Sequence, residues 1–256
     1  MIKFKTEKEI EIMRQGGKIL AEVLEELIAN VKAGISEIEL DQMAEKLILA
    51  KGGEPGFKKV EGYKHTICIS TNDVVVHGIP TDYVLKEGDK VGIDCGVYYQ
   101  GFHTDMAQTT RIKDKGLMTK NDEVDKFLQT GEKAMWEGIQ AARLGNRIGD
   151  ISKTIQEIVE GQGYSVVKSL IGHGVGRELH EDPEVPGYLD CSILKTPLLK
   201  EGMTIAVEVI YNMGKSDVVY SGSDGWTIKS KDGSLSGLFE RSIAITKQGT
   251  EVLTRK

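Results

Sequence analysis

Two stretches near the start of the chain carry apolar residues at helical spacing. Ile10, Met13, Leu20, Leu24, Leu27 and Val31 recur on one face until Gly34, and Leu40, Met43, Ala44, Leu47 and Ile48 recur until Gly52 and Gly53. Each follows a capping-box signal, Thr6 with Glu9 and Ser36 with Glu39, so both are predicted as helices. The segment EPGFKKVEGYKHT is irregular, and the strand-like run ICISTNDVVVHGIP then leads into His77. LKEGDKVGIDCGVYYQGFHTDMA predicts a hairpin, with strands over 90–95 and 102–107 and a turn within 98–101. Helical spacing returns over about 121–144, with Phe127, Leu128, Met135, Trp136 and Ile139 inward, and again over about 148–160. The remainder is glycine-punctuated and strand-rich, and residues 172–176 are too glycine-dense for a helix.

The pattern repeats. LLKEGMTIAVE (198–208) overlays VLKEGDKVGID (84–94) at an offset of 114, which puts Asp94 on Glu208. The stripe Leu40, Ala44, Leu47, Ile48, Gly52 returns as Ile151, Ile155, Ile158, Val159, Gly163 at an offset of 111. A solenoid repeats every 20–50 residues, so this much longer period predicts two similar α+β halves facing each other. The expected organisation is one domain over 1–256, internally duplicated with halves of roughly 1–115 and 116–256.

Composition narrows the function. The net charge of −6, with no basic run, argues against nucleic acid or an anionic membrane as the main partner. Cys68, Cys95 and Cys191 are odd in number, far apart and without a CxxC pair, which fits a reducing cytosol. No segment approaches the roughly 18 apolar residues of a membrane span, and the N-terminus lacks the apolar core of a signal peptide. A soluble cytoplasmic protein is expected.

Chemistry concentrates in a few residues. A turn centred between Tyr99 and Gln100 sets Asp94 and Asp105 directly opposite each other, with Cβ atoms roughly 4.5–5.5 Å apart. Two bare carboxylates that close require a proton or a cation between them, although Asp also caps turns. GHGVGRELHEDP supplies His173 and His180 without the i, i+4 pair of a zincin helix, and His173 sits among glycines, as where backbone packs tightly against a site. LFERSIAIT places Glu240 in an apolar strand, where an acid needs a partner. Each has a plainer reading as a capped turn, a satisfied core histidine or an edge salt bridge. Together the two Asp, two Glu and one His suit two divalent ions such as Mn, Fe, Co or Zn better than one closed structural zinc.

The ordered set His77 (VHGIP), Asp94 (IDCG), Asp105 (HTDMA), His173 and His180 (GHGVGRELHEDP), Glu208 (GMTIAVEV) and Glu240 (FERSIAIT), with the DGWTIKSKDGSLS run, resembles type I methionine aminopeptidase, an M24-type metallopeptidase. The resemblance covers nearly the whole chain. It implies the α+β pita-bread fold, two pseudo-symmetric halves around a central antiparallel sheet with outer helices. It implies two divalent metal ions, Asp105 and Glu240 bridging them, Asp94 on one, and His173 with Glu208 on the other. His180 is then expected at the substrate carbonyl, His77 at the scissile amide nitrogen, and Glu208 also as the proton shuttle. Tyr63, Cys68, His77, Leu179, His180 and Trp226 are expected to contact substrate. The implied substrates are nascent peptides beginning with Met and a small second residue, met by a monomer in transient contact with the ribosome. Leu179 stands where an aromatic is usual, Phe57 and Val60 replace familiar neighbours, and Val209 replaces a proline, so the methionine pocket is expected to differ in shape. His103 is read as structural. Xaa-Pro aminopeptidases share the ligands but normally carry a further N-terminal domain, for which 256 residues leave no room. Type II methionine aminopeptidases carry a helical insertion that the short interval from His180 to Glu208 does not hold. Pita-bread proteins that only bind have typically lost metal ligands, all of which are present here.

Overall fold

The computed structural model describes residues 1–113, 118–221 and 224–256. Among the described residues, four α-helices run over Glu7–Asn30 (α1), Glu37–Ala50 (α2), Met118–Ala141 (α3) and Ile148–Glu160 (α4). The strands are Glu54–Pro55 (β1), Ile67–Thr71 (β2), Val74–Val76 (β3), Lys90–Tyr99 (β4), Phe102–Arg111 (β5), Ser165–Val166 (β6), Gly172–Gly174 (β7), Glu181–Val185 (β8), Thr204–Asn212 (β9), Val218–Tyr220 (β10), Ile228–Ser230 (β11), Ser236–Thr246 (β12) and Gly249–Val252 (β13). Ten form one antiparallel sheet in the order β1-β4-β5-β12-β9-β7-β8, with β2 paired to β4, β6 to β9 and β13 to β12. The other three form a small sheet, β10-β11-β3.

Both predicted capping boxes are made. The Thr6 and Ser36 hydroxyls accept from the Glu9 and Glu39 amides, and the glutamates accept in return from the cap amides. Below its cap α1 buries Leu20, Leu24 and Leu27. Each such side chain contributes about 1.5–3 kcal/mol on leaving water. With α2 they cover Ile67, Ile69, Ile93 and Cys95 of β2 and β4. On the other side α3 and α4 bring Phe127, Met135, Ile151 and Ile155 onto Ile205, Val207, Val209 and Phe239 of β9 and β12. Helices thus cover one face of each half of the long sheet.

The segments related by repetition fold alike. Gly34 and Gly145, Gly52 and Gly163, and Gly88 and Gly202 all take positive φ at matching positions. Ser36 bridges to Val84 just as Arg147 bridges to Leu198. The expected boundary between halves at 115/116 lies outside the described residues.

Three expectations change. The strands of the hairpin each run ten residues and close on Gln100 and Gly101, both at positive φ (47° and 93°). Positive φ at both central residues defines a type I′ turn, which matches the twist of the strands. Its centre lies one residue later than expected, so Asp94 faces Ala107 and Asp105 faces Gly96. The two acids are diagonal neighbours on one face, not opposed. Next, α3 ends at Ala141, and Leu144 is exposed beside the Gly145 reversal. Finally, Trp136 is not inward: it lies 38% exposed, under the Arg241 guanidinium.

Candidate metal centre

Register builds the site. Asp94 pairs with Ala107, Ala107 with Glu240, and Glu240 with Glu208, so three acids share one row across four strands. The next row holds Asp105, whose amide and carbonyl bond the Ser242 hydroxyl of β12, and His173, which pairs with Ala206 of β9. Side chains alternate between faces along a strand. The flanking residues Cys95, Val207 and Val209 therefore point to the helices, while the acids point away from them.

Glycines allow the histidine in. A Cβ at Gly172 meets the Ala206 carbonyl oxygen at 2.6 Å, and one at Gly174 meets the Asp182 carbonyl oxygen at 2.3 Å. Only glycine on both sides of His173 lets β7 lie this close to its neighbours. The His173 Nδ1 atom lies 2.9 Å from the Gly174 carbonyl oxygen. A proton on Nδ1 leaves the Nε2 lone pair free. Nε2 points into the site, 3.9 Å from Asp105 Oδ2 and 4.0 Å from Glu240 Oε1. Ligand atoms of Asp105, His173 and Glu240 all fall within 4.8 Å of one another.

The electrostatics are those of an acid cluster held out of water. Burial, then the charge of Asp105 and of Glu208, pushes Asp94 well above the usual carboxylate range, and the same order of causes raises Glu240. Burial raises Asp105 to about 7 and, with the Asp105 charge second, Glu208 to about 8. Burial and the neighbouring His180 depress His173 and His77 to about 4, so both imidazoles are neutral at pH 7. Asp94 Oδ1 and Glu240 Oε1 are buried with no hydrogen-bond partner among the described residues. Unpartnered buried carboxylate oxygens are costly unless a cation serves them. A hard divalent ion fits this oxygen-rich set.

Above the acids lies a cavity of about 330 Å³. All the residues expected to contact substrate line it: Tyr63, Cys68, His77, Leu179, His180 and Trp226. Phe57, Tyr63, Cys68 and Leu179 form one apolar cluster, with Trp226 packed edge-on to Tyr63 at 5.1 Å. His180 stands at the rim, its ring 4.4 Å from that of His173. His77 follows β3 with φ at +56°, a left-handed conformation costing about 1–3 kcal/mol for a non-glycine residue. His103 is buried against Tyr98 and does not line the cavity.

Val76, Ile210 and Glu184 also line the cavity, and sequence reasoning missed them. Ile210 was within reach, being two residues beyond Glu208 on the same face. Glu184 gave no signal in its proline-flanked segment, where it stands exposed between buried Pro183 and Val185.

The profile of metallopeptidase family M24 matches residues 11–247. The chain is 44% identical to the methionine aminopeptidase of Clostridium perfringens over 99% of both chains. It is 43% identical to methionine aminopeptidase 1 of Bacillus subtilis over the full length of both. The crystal structure of methionine aminopeptidase from Thermotoga maritima superimposes with a TM-score of 0.93 at 37% identity, covering all of each chain. The duplicated architecture is the pita-bread fold. The chain belongs to metallopeptidase family M24.

Proposed function

We propose that the chain removes N-terminal methionine from newly made polypeptides whose second residue is small, as a single internally duplicated catalytic domain over 1–256. The observation that carries this reading is the acid cluster around His173 on the floor of an apolar cavity. Asp94, Asp105, His173, Glu208 and Glu240 would hold two divalent ions. When bound, such ions act as Lewis acids and bring a water's pKa towards neutrality.

The remaining work belongs to the chain. The apolar walls from Tyr63, Cys68, Leu179 and Trp226 take the unbranched thioether and exclude water. His180, at the rim, donates an N–H to the carbonyl oxygen as negative charge develops there. His77 meets the scissile amide nitrogen. Glu208 takes a proton from the attacking water and passes it to the leaving amine. A free α-amino group in the acid-lined end restricts cleavage to the first residue. The working protein is read as a cytoplasmic monomer that meets its substrates at the ribosome.

The test is release of the first residue from Met-Ala-Ser and from an Ala-Pro peptide, with Mn or Co and with EDTA. Metal-dependent release of Met from the first peptide is expected. Release from Ala-Pro alone points to an Xaa-Pro enzyme, and release from neither points to a binding protein.

A further inference from the structure

Among the described residues, one buried amine without an ion-pair partner stands outside the mechanism above. Lys90, at the start of β4, is 1% exposed and forms no ion pair among the described residues. Its Nζ donates to the carbonyl oxygens of Ser70, at 2.9 Å, and Val74, at 3.2 Å. These carbonyls lie on the two sides of the β2–β3 turn, so one amine clamps both strands. The backbone repeats the clamp, because the Lys90 amide donates to Asn72 Oδ1 and the Lys90 carbonyl accepts from the Asn72 amide.

Two strands clamped here reach the cavity. β2 carries Cys68, and β3 leads within three residues of Val74 to His77. His77 has left-handed φ, a conformation that persists only where its surroundings over-determine it. The rest of the segment is held by the pairing of Val74 and Val76 with β11, by the Ile69 amide on the Gly78 carbonyl, by the Ile79 amide on the Thr227 hydroxyl and by the Ser230 amide on the Asp73 carbonyl. The second half of the molecule uses the same device. Thr204, the counterpart of Lys90 at the offset of 114, is buried and donates its hydroxyl to the Val175 carbonyl, two residues beyond His173. In each half the first residue of the acid-bearing strand spends a buried donor on the backbone beside a site histidine.

We propose that Lys90 is a positioning residue for His77, its amine acting as an internal clamp that sets where the imidazole stands over the substrate amide. The proposal rests on the methionine-releasing reading for its kinetic arm only. Lys90→Met keeps the volume and removes both donors, and Lys90→Ala leaves space for an added amine. The experiment measures kcat and KM for Met-Ala-Ser with metal loading checked, and amide hydrogen exchange at Ile69 and Ser230. In Lys90→Met, kcat is expected to fall by about 10²-fold, the scale of a misplaced reacting group, with KM changed little. Both amides should exchange faster. In a His77→Ala background the same substitution should cost nothing further. Ethylammonium or propylammonium should restore kcat to Lys90→Ala, and propanol should not.

Wild-type kcat in Lys90→Met, or an equal loss with and without His77, overturns the clamp. If the wild type releases no methionine, the functional reading fails instead, and unchanged exchange at Ile69 and Ser230 still overturns the clamp.

Discussion

Glu208 and Glu240 stand directly opposite each other on β9 and β12, one acid facing another across the middle of the sheet. Like charges so placed are destabilising unless protons or cations intervene. The folded pKa values of Asp105, about 7, and Glu208, about 8, lie above their ordinary 3.8 and 4.5. The metal-free folded chain therefore binds more protons than the unfolded chain across that interval. Its stability is highest at the acid end and declines as pH rises through 7 to 8. Adding Mn or Co at pH 7 should displace those protons and raise Tm. Calorimetry in buffers of different ionisation enthalpy reads the release. A Tm of the EDTA-treated protein flat from pH 5 to 8, with no proton release, contradicts this account.

Asp105→Ala and Glu240→Ala should lose metal and turnover together, because each removes an atom from the three-residue cluster. His180→Ala should keep its metal and lose about 10²–10³-fold in kcat, the usual effect of deleting an oxyanion donor. Metal analysis of each purified variant beside its kinetics separates the two classes. Metal loss in His180→Ala makes that residue a ligand instead.

Lys90 also sets a pH signature of folding. Burial lowers it from 10.5 to about 7, with Asp73 opposing weakly. Between those values the unfolded chain holds the extra proton, so this group makes stability rise with pH from about 7 to 10. The slope is at most about 1.4 kcal/mol per pH unit. Because the acid cluster contributes the opposite slope, urea unfolding at pH 7.5 and 9.5 should show stability changing more favourably with pH in the wild type than in Lys90→Met. Equal slopes in the two proteins remove the assignment.

Gly131→Ala weighs two effects. Alanine gains about 1 kcal/mol over glycine inside a helix. Its Cβ, however, lies 2.4 Å from Tyr211 Oη, whose hydroxyl is fixed at 2.5 Å on the Phe127 carbonyl oxygen. Overpacking of this kind costs about 1–3 kcal/mol. The clash wins, and the urea midpoint should fall.

The pocket is testable through Leu179, buried against Phe57, Tyr63 and Cys68. Leu179→Phe should narrow the slot and reduce kcat/KM for Leu-initiated peptides more than for Met-initiated ones, within the roughly 10–200-fold that one pocket contact supplies. An unchanged Leu-to-Met ratio places the side chain outside the specificity wall.

Much of this was legible in the residue pattern, and the exceptions have physical causes. Capping boxes mark helix starts locally, so Thr6 and Ser36 could be read directly. Asp94 was read from its place beside Asp105 in the hairpin, and Glu208 because a repeated segment carried an acid at the same place. The hairpin register was not legible: it depends on Gln100 taking positive φ, which its side chain does not advertise. Trp136 misled because helical spacing gives a face without saying how wide the buried stripe is. Lys90 reads as a surface residue, and only the carbonyls of Ser70 and Val74, brought in by tertiary structure, make it a buried one.

The strand order has a consequence for assembly. β5 belongs to the first half and β9 to the second, and β12 lies hydrogen-bonded between them. Of the three it is the last reached along the chain. Until residues 236–246 slide into the seam, the long sheet has no ladder joining its halves, Asp105 lacks Ser242, and no cluster with Glu240 exists. Such long-range pairing is slow to form. Metal capture at that cluster thus reports that the seam has closed, because the strand that brings Glu240 is the one that joins the two halves of the long sheet.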